Sequence, residues 1–382
     1  MPAESNPAVL APTGVVRPDA GADADLCADR QRAWVDVDLA ALVRNARRVQ
    51  AHARVPLLPM VKADAYGLGA IPVARALRAL SPWAFGVAAV HEGEALRDAG
   101  ITDRIVVFTP LLASELPRAH AAGLTPSLHR GDDVRAWAAI GGDAWHLSID
   151  TGMSRAGVRW DAVDALHDAI RAHPPEGAYT HFHSADTDDA SRAEQEARFD
   201  AAVRALPARP QVVHAENSPG AERAQGGSRW DVVRPGVFLY GVSAGAVLEA
   251  EPVAHLRARV VDVRDLRDGE TVSYGATWTA RGPARIATVA AGYADGYRRA
   301  LSNRGVALLH GREVPVAGRV TMDMTMLDVT GVPCAVGDVA TLIGRDGDAL
   351  LTVSDVADRA EMSPYELLTG LRQRVPHLHH DA

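Results

Sequence analysis

Residues 55–69 read Val-Pro-Leu-Leu-Pro-Met-Val-Lys-Ala-Asp-Ala-Tyr-Gly-Leu-Gly, an apolar run that ends in a lysine and is followed by two glycines. The run predicts a short buried strand over residues 56–62, which the glycines end. A buried ammonium group costs several kcal/mol unless it is paired, so a lysine here tends to have a lowered pKa and to become nucleophilic. The same side chain, Lys62, can instead keep its charge in water at the strand end. This segment alone favours the second interpretation, and the rest of the chain has to decide between them.

Strand-like and helix-like patterns alternate around this run. A strand over residues 33–37 precedes an amphipathic helix with apolar Leu39, Leu42, Ala46 and Val49, for which Asp38 is placed as the N-cap. Further strands are predicted near residues 84–88, 104–108, 125–128, 145–150, 178–183, 211–214 and 232–240, and helices near residues 71–80, 92–99, 162–172 and 190–206. About eight strands in about 200 residues predict a closed (β/α)8 barrel, with a doubly wound open sheet as the competing architecture.

The pattern changes near residues 242–251. Short β-rich runs near residues 256–263, 285–290, 306–309 and 339–343 follow, and a helical stretch over residues 364–371 comes after them. We therefore predict an α/β protein: an N-terminal (β/α)8 TIM-like barrel over residues 32–244, and a C-terminal mainly β domain over residues 245–382 that can also take up the strand at 33–38. Residues 1–31 lack a basic n-region and an apolar h-region, and are predicted to be a disordered leader.

Composition excludes several classes of protein. A net charge of −8 on 382 residues argues against a nucleic-acid partner, which needs a basic stripe to neutralise phosphates. No segment approaches the roughly 18 to 20 apolar residues of a membrane helix, so no membrane partner is predicted. Two cysteines, Cys27 and Cys334, cannot build a disulfide framework, which favours a cytoplasmic location. No metal site is predicted.

Polar residues gather where the predicted barrel strands end. Lys62 follows the first strand, Arg155 the fifth, and His181 lies in the sixth. The remaining members of this group are Asn217 and Ser218 after the seventh strand, and Arg234 and Gly236 in the eighth. The carboxyl ends of barrel strands form one rim, where TIM-barrel active sites lie. Taken alone, His181 is better explained as a hydrogen-bonded strand histidine and Arg234 as a rim ion pair, but their convergence indicates a site.

Seven motifs together resemble one known family, the alanine racemases that depend on pyridoxal 5'-phosphate (PLP) and combine a barrel with a β domain. The resemblance covers the chain from about residue 33 to residue 376. The motifs are Val-Lys-Ala-Asp-Ala-Tyr-Gly (61–67), Asp-Thr-Gly-Met-Ser-Arg-Ala-Gly (150–157), Thr-His-Phe (180–182), Val-Arg-Pro-Gly-Val (233–237), Val-Ser-Tyr-Gly-Ala-Thr-Trp-Thr-Ala (272–280), Ala-Gly-Tyr-Ala-Asp-Gly-Tyr (291–297) and Ala-Gly-Arg-Val-Thr-Met-Asp (317–323).

The resemblance implies roles for four catalytic residues. Lys62 would hold PLP covalently and then act as a base on one face of the substrate Cα. Tyr274 would act on the other face, supplied by the partner subunit of a homodimer. His181 would bridge Tyr274 and Arg234, since a tyrosine base at neutral pH needs a neighbour that stabilises its phenolate. Arg234 would donate to the PLP ring nitrogen, because a guanidinium cannot accept a hydrogen bond.

The resemblance also implies binding residues. The PLP phosphate would take donors from Tyr66, Ser218 and the backbone near Gly236 and Val237, with Asn217 beside them. Arg155 and the backbone of Met322 would hold the substrate carboxylate, and Tyr293 would stand beside the substrate methyl. Asp186, Arg299 and Arg319 match a polar access corridor, although each alone is better explained as a solvated surface residue.

The chain departs from the family pattern at two positions. Many relatives carry a lysine, often carbamylated, where this chain has Ser148. A serine cannot supply the negative charge of the carbamate, so Arg155 must be held in another way. Our hypothesis is a bound small anion, such as chloride, near Arg155. Gln373 stands where some relatives place a phosphate-binding tyrosine, which leaves its role open.

The predicted function is the interconversion of L- and D-alanine by a PLP two-base mechanism, which supplies D-alanine for cell-wall peptidoglycan. A racemase of broader specificity, acting on serine or another amino acid, is the close alternative, because extra methylenes are worth only about 1 to 3 kcal/mol of discrimination. A non-catalytic PLP-binding protein on the same barrel is disfavoured by the second domain and its Val272-Ser273-Tyr274-Gly275 motif.

Overall fold

The computed structural model describes residues 31–187, 190–371 and 374–381. Residues 1–30 of the predicted leader and Gln373 therefore lie outside the described residues. None of the helices in these ranges combines the length and the apolar composition needed to cross a membrane.

Parallel strands form the N-terminal barrel. Neighbouring strands pair in the order Phe85–Val87, Ile105–Val107, Thr125–Leu128, His146–Asp150, Gly177–Tyr179 and Val212–His214, and the short strand Val158–Arg159 adds to His146–Asp150. Two extended segments close the ring: Leu57 bridges Val233 and Met60 bridges Gly86, both in the parallel sense. The Asp231 amide donates to the Val213 carbonyl at 2.9 Å, which joins the last segment to the last strand. The predicted TIM-like barrel with a mainly β second domain is confirmed.

Three predicted strands are wrong in extent. The strand predicted near residues 178–183 ends at Tyr179. Residues 56–62 make isolated bridges instead of a continuous ladder, because prolines 56 and 59 have no N–H to donate. The predicted strand at 232–240 ends early and gives way to a 3-10 helix, Val237–Tyr240. Lys62 therefore does not end a strand but begins a turn.

Helices cover the outside of the barrel. They are Leu39–Ala53, Ala70–Leu77, Val90–Asp98, Leu116–Ala121, Gly131–Ala139, His167–Ala172, Ser191–Ala205 and Ser218–Glu222, with short 3-10 helices at Arg78–Leu80 and Val163–Leu166. The first begins as predicted, because the Asp38 carboxylate accepts from the Ala41 amide at 2.8 Å. Its apolar face, including Leu42, Ala46 and Val49, is fully buried.

A nine-stranded sheet organises the C-terminal part around the long strand Ala254–Leu266. The main path runs Arg312–Pro315, Val306–Leu309, Val339–Asp346, Ala254–Leu266, Ala33–Asp38 and His377–His380, with Ala284–Val289, Thr325–Asp328 and Ala349–Leu351 paired beside it. A hairpin, Thr271–Val272 with Trp278–Thr279, and the helices Val353–Arg359 and Pro364–Thr369 complete it, with 3-10 turns at Tyr274–Ala276, Tyr293–Asp295 and Arg299–Leu301.

The N-terminal strand and helix join the two parts of the molecule. Strand Ala33–Asp38 pairs antiparallel with Ala254–Leu266, and the helix that follows it packs on the barrel. Within this helix Asn45 is buried, donates to the carbonyls of Leu239 and Glu251 at 3.3 and 2.9 Å, and accepts from the Glu251 amide at 2.8 Å. A continuous apolar core runs from the barrel into the C-terminal sheet.

Candidate active site

A left-handed turn carries Lys62. Residues Ala63, Asp64, Ala65 and Tyr66 have φ between 52° and 57°, although none of them is glycine. A non-glycine residue in this conformation costs about 1 to 2 kcal/mol, so the four together store about 4 to 8 kcal/mol that surrounding contacts must offset. The turn re-aims the chain at the barrel rim, and points Lys62 and Tyr66 into the same cavity.

Backbone and carboxylate hydrogen bonds hold this turn. Glu92 accepts from the amide of Ala63 through Oε1 at 2.7 Å, and from the amides of Ala88 and Ala89 through Oε2 at 2.7 and 3.3 Å. One carboxylate thus ties the turn to the loop after the strand Phe85–Val87. Asp64 Oδ1 accepts from the Ala70 amide at 2.7 Å, which fixes the far side of the turn.

Nine of the predicted site residues line one cavity at the barrel rim, with a volume of about 450 Å³. We call it the Lys62 cavity. Its predicted members are Lys62, Tyr66, Arg155, His181, Asn217, Ser218, Arg234, Gly236 and Val237. Phe108, Tyr179 and Ser148 add to its wall, and Tyr365 reaches it from the C-terminal helix Pro364–Thr369.

The environment of Lys62 lowers the pKa of its amine. Burial contributes most, the positive charges of Arg155 and Arg234 add to it, and the negative charge of Glu92 opposes it. A lysine with a lowered pKa has a larger fraction of free amine at neutral pH, and the free amine is the nucleophilic form. Lys62 is also the only lysine in the chain, whose other 39 basic residues are arginines. Arginine cannot deprotonate at neutral pH, so this position keeps the one side chain that can.

Arg234 fixes the protonation of two buried histidines. Its Nη1 lies 2.6 Å from His214 Nδ1, and His214 Nε2 lies 3.0 Å from His146 Nδ1. Because a guanidinium only donates, His214 must accept at Nδ1, carry its proton on Nε2 and donate to His146. His146 then presents its own Nε2–H toward Glu176, at 3.8 Å. Burial lowers the pKa of both histidines below the ordinary value; the charge of Arg234 adds to this effect at His214, and the charges of Arg104 and Arg234 add to it at His146. Both rings are therefore neutral at physiological pH.

His181 follows the strand Gly177–Tyr179 instead of lying inside it, and meets the other edge of the same guanidinium. Arg234 Nη2 donates to the carbonyls of Thr180 and Ala215 at 2.8 Å each and lies 3.4 Å from His181 Nδ1. Burial and then the charges of Arg234, Arg155 and Lys62 lower the pKa of His181 to about 3. This imidazole is therefore neutral at physiological pH, with Nδ1 facing a donor and Nε2–H left to donate.

Tyr66, Ser218 and Gly236 form a cradle of small and hydroxyl-bearing residues. A Cβ on Gly236 would lie 2.3 Å from the Tyr66 hydroxyl, so only glycine fits there. Ser218 is buried, and its Oγ accepts from the Gly236 amide at 2.8 Å. Asn217 caps the short helix Ser218–Glu222 through its own side chain, at 3.1 Å from the Gly220 amide. The side chain of Asn217 is thus used in holding the loop.

Arg155 is exposed at the cavity edge and has no hydrogen-bond or ion-pair partner among the described residues. Ser148 is buried in the neighbouring wall and carries no charge. The loop between them is shaped by Asp150, whose Oδ1 accepts from the amides of Gly152 and Ser154 at 3.0 Å each. The guanidinium is therefore available to a bound anion.

The remaining predicted residues lie elsewhere. Tyr274, Tyr293, Met322, Arg299 and Arg319 line a second concavity of about 960 Å³ on the C-terminal domain, which we call the Tyr274 patch. Tyr274 is 75% exposed and Met322 51% exposed. Asp186 is exposed and lines neither concavity. A single chain thus brings nine of the predicted residues together and leaves Tyr274 outside the Lys62 cavity. Among the described residues, no group of three or more His, Cys, Asp or Glu side chains is arranged to hold a metal ion.

Sequence reasoning missed Glu92, His214 and Tyr365. Glu92 resembles any polar residue in a helix, and no pattern distinguishes it. His214 ends an apolar strand just as Lys62 follows one, and the same argument could have found it. A stronger signal for the site was that Lys62 is the only lysine in the sequence.

Fold and cavity together define a two-domain protein with a partly buried lysine at the rim of a TIM-like barrel. Models of the alanine racemase N-terminal and C-terminal domains match residues 37–244 and 253–379. The alanine racemase of Carboxydothermus hydrogenoformans is 36% identical over 364 residues, which cover 91% of this chain and 99% of that relative. The alanine racemase of a Geobacter species is 38% identical, covering 91% and 98%.

Solved structures agree. Alanine racemase from Streptomyces coelicolor A3(2) has a TM-score of 0.84 and 33% identity, covering 92% of this chain and 98% of that one. Alanine racemase from Bartonella henselae, solved with covalently bound pyridoxal phosphate, has a TM-score of 0.84 and 26% identity, covering 92% and 100%. The chain belongs to the alanine racemase family. Members of this family are isomerases.

Proposed function

We propose that this protein interconverts L- and D-alanine with PLP as cofactor, using Lys62 on one face of the substrate Cα and the partner subunit's Tyr274 on the other. The observation that carries the proposal is the Lys62 cavity, in which the only lysine of the chain has a lowered pKa and shares the wall with the guanidinium of Arg155. In this proposal the enzyme is cytoplasmic and supplies D-alanine for peptidoglycan, as expected from the family.

The residues of the cavity fit PLP. Lys62 supplies an amine for the aldehyde. Tyr66, Ser218 and Gly236 line the same cavity, and a glycine lets an anion approach the backbone closely. The Gly236 amide already donates to Ser218 Oγ, so the Val237 amide is the backbone donor that we assign to the phosphate. When bound, PLP withdraws electrons from the substrate Cα–H bond, so that the proton can leave at neutral pH.

Lys62 takes or returns the proton on its face of the Cα. The lowering of its pKa suits this role, because a base works best when its pKa lies near the working pH. Arg234 remains protonated, since burial lowers its pKa only to about 10. As a pure donor it favours an unprotonated PLP ring nitrogen, which limits how far negative charge spreads into the ring and suppresses side reactions.

The second proton-transfer group comes from another subunit in this proposal. Tyr274 is exposed on the Tyr274 patch and lies outside the Lys62 cavity of its own chain. A homodimer that seats this patch over the partner's cavity completes both sites. Neutral His181, with Nδ1 toward Arg234, has its Nε2–H left to donate to a phenolate. Tyr293 and the Met322 backbone would arrive on the same patch, beside the substrate methyl and carboxylate.

Substrate binding falls to Arg155 in this proposal. Its unpaired guanidinium offers two parallel donors to a carboxylate, the geometry in which arginine binds carboxylates best. We also assign Asp186, Arg299 and Arg319 to the access path, as the resemblance to the family implies. Arg299 and Arg319 lie on the Tyr274 patch, and Asp186 is exposed.

Two variants test the two bases. Lys62→Ala should abolish racemisation in both directions and the visible absorbance of the covalently held cofactor, and turnover in this variant would refute the assignment. Tyr274→Phe should slow the two directions unequally while PLP stays bound, and unchanged rates in both would remove it as a base. Mixing the two variants should give more activity than either has alone, because a mixed dimer contains one site with both Lys62 and Tyr274.

Substrate breadth is tested on the wild-type protein. Comparing kcat/KM for alanine, serine and lysine separates an alanine racemase from an enzyme of broader specificity. A protein that binds PLP but racemises none of them would instead support the non-catalytic alternative.

A further inference from the structure

Two loops of the Tyr274 patch carry groups assigned to the substrate, and backbone hydrogen bonds join these loops. The Tyr293 amide donates to the Thr321 carbonyl at 2.9 Å. The Ala294 amide donates to the Met322 carbonyl at 3.0 Å. A Cβ on Gly292 would lie 2.3 Å from the Thr321 oxygen, so the two backbones touch. The Met322 carbonyl is used in this contact, whereas the Met322 amide has no partner among the described residues.

Each of the two loops also carries a carboxylate, and both carboxylates bind the same guanidinium. Arg374 Nη2 donates to Asp323 Oδ1 at 2.5 Å. Arg374 Nε lies 3.2 Å from Asp295 Oδ1. Asp323 follows Met322 directly, and Asp295 comes two residues after Tyr293. Arg374 therefore joins the two loops a second time, through side chains.

The carboxylate of Asp295 is held inside its own loop. Its side chain is only 6% exposed, and its Oδ2 accepts from the Gly292 amide at 2.8 Å. Burial raises the pKa of Asp295, the Gly292 hydrogen bond and the charges of Arg374 and Arg32 lower it, and the charge of Asp323 raises it. The two carboxylates are thus close enough to repel each other, and Arg374 supplies a positive charge that offsets this repulsion.

The loop that contains Asp295 also contacts the C-terminal helix Pro364–Thr369. A Cβ on Gly296 would lie 2.8 Å from the Gly370 carbonyl oxygen, so the backbones of the loop and of the helix end are in contact. Arg298 Nη2 donates to the Glu366 carbonyl at 2.9 Å. This side of the loop is therefore packed, and the side that faces Asp323 depends on the guanidinium.

Arg374 lines neither the Lys62 cavity nor the Tyr274 patch. Within one chain, any effect that it has on the substrate-facing groups must therefore act through the two loops.

We propose that Arg374 is a positioning residue, which holds Tyr293 and the Met322 amide at the spacing that the substrate methyl and carboxylate require. The inference rests on the proposed function, because it assumes that these two groups face the substrate in the partner's cavity. Without the guanidinium, the carboxylates of Asp295 and Asp323 repel each other, and the Met322 amide moves away from the substrate carboxylate.

The test is the steady-state racemisation of L-alanine by the PLP-loaded enzyme, with rates referred to the concentration of bound PLP. In Arg374→Gln we expect KM to rise about tenfold, the effect of losing one hydrogen bond to a charged carboxylate. We expect kcat to change by less than about twofold, because this hydrogen bond holds the ground state and the transition state alike. Arg374→Lys keeps the positive charge and should show a smaller rise in KM.

The matched control is Arg359→Gln. It makes the same chemical change in the C-terminal domain, but Arg359 pairs with the exposed Glu313 at 3.4 Å and lines neither concavity. Neither KM nor kcat should change in this variant.

A double variant tests the repulsion itself. Adding Asp323→Asn to Arg374→Gln removes one of the two facing charges, so KM should be lower in the double variant than in Arg374→Gln alone. An equal or higher KM in the double variant would overturn the inference. It would also be overturned by an unchanged KM in Arg374→Gln, or by a loss of kcat at unchanged KM. A wild-type protein that racemises no alanine would instead refute the proposed function.

Discussion

Glu92 is the residue whose replacement tests how the Lys62 turn is held. Its two carboxylate oxygens serve opposite sides: Oε1 takes the Ala63 amide at 2.7 Å, and Oε2 takes the amides of Ala88 and Ala89. In Glu92→Gln only one oxygen remains, and the new NH2 group faces the N–H of the side it has replaced. Glu92→Gln must therefore lose either the hydrogen bond from the Ala63 amide or those from the amides of Ala88 and Ala89.

The expected loss follows from these contacts. Hydrogen bonds to a charged acceptor are worth about 1.5 to 3 kcal/mol, so Glu92→Gln should lower the free energy of unfolding by about 2 to 3 kcal/mol. Glu92→Ala should cost more, because all three amides lose their acceptor. Glu94→Gln is the matched control in the same helix: it makes an identical chemical change, but Glu94 pairs only with the exposed Arg118, and exposed ion pairs are worth about 0 to 1 kcal/mol.

The same variant should also change the chemistry of Lys62. The charge of Glu92 raises the pKa of the Lys62 amine against the larger effect of burial, so its removal should lower that pKa further. Because Lys62 is the only lysine, reductive methylation of apo protein reports this amine beside the α-amino group alone. Urea unfolding and the pH profile of methylation are measured on all three variants. Equal stability of Glu92→Gln and Glu94→Gln, or a profile displaced to higher pH, would refute the reasoning.

Three further predictions concern other parts of the molecule. The pKa of His181 is about 3 in the folded protein and about 6.5 in the unfolded chain, so between these pH values only the unfolded chain binds the proton, and the free energy of unfolding should fall by up to about 1.4 kcal/mol per pH unit as the pH drops. In His181→Gln, urea unfolding should show a weaker dependence of this free energy on pH. An unchanged pH dependence would contradict the lowered pKa. Crystals soaked in bromide should show an anomalous peak beside Arg155, where Ser148 supplies no charge, and ordered water alone there would disprove the anion. Asn45→Ala should lower the free energy of unfolding by about 2 to 4 kcal/mol, because it unpairs one buried backbone group at Leu239 and two part-buried ones at Glu251. Ser243→Ala removes one exposed hydrogen bond to the same loop and should cost under about 1 kcal/mol. Equal losses would show that the contact between this helix and the loop does not depend on Asn45.

Elements with a strong local signal were predictable. The helix Leu39–Ala53 has an apolar stripe and an N-cap at Asp38, and both appear in the structure as expected. Strand Val306–Leu309 matches its predicted bounds, because four consecutive apolar residues between turn signals leave few alternatives. Tyr274 could not be placed in the same way. The motif around it indicates a catalytic role, but its side chain is exposed in the single chain and would reach an active site only through a second chain.

The Lys62 turn could not have been predicted, for a physical reason. The sequence Ala63-Asp64-Ala65-Tyr66 has ordinary right-handed or extended preferences, and each residue taken alone disfavours positive φ. The conformation exists because distant groups over-determine it: Glu92 binds the Ala63 amide, and the C-terminal helix packs against Gly67. Local conformational propensities do not include these two long-range contacts, so they could not predict the turn. The strain is useful at this position, because a right-handed continuation would carry Lys62 and Tyr66 away from the cavity that they now share. The positive φ angles of residues 63–66 therefore identify the turn that places Lys62 in the candidate active site.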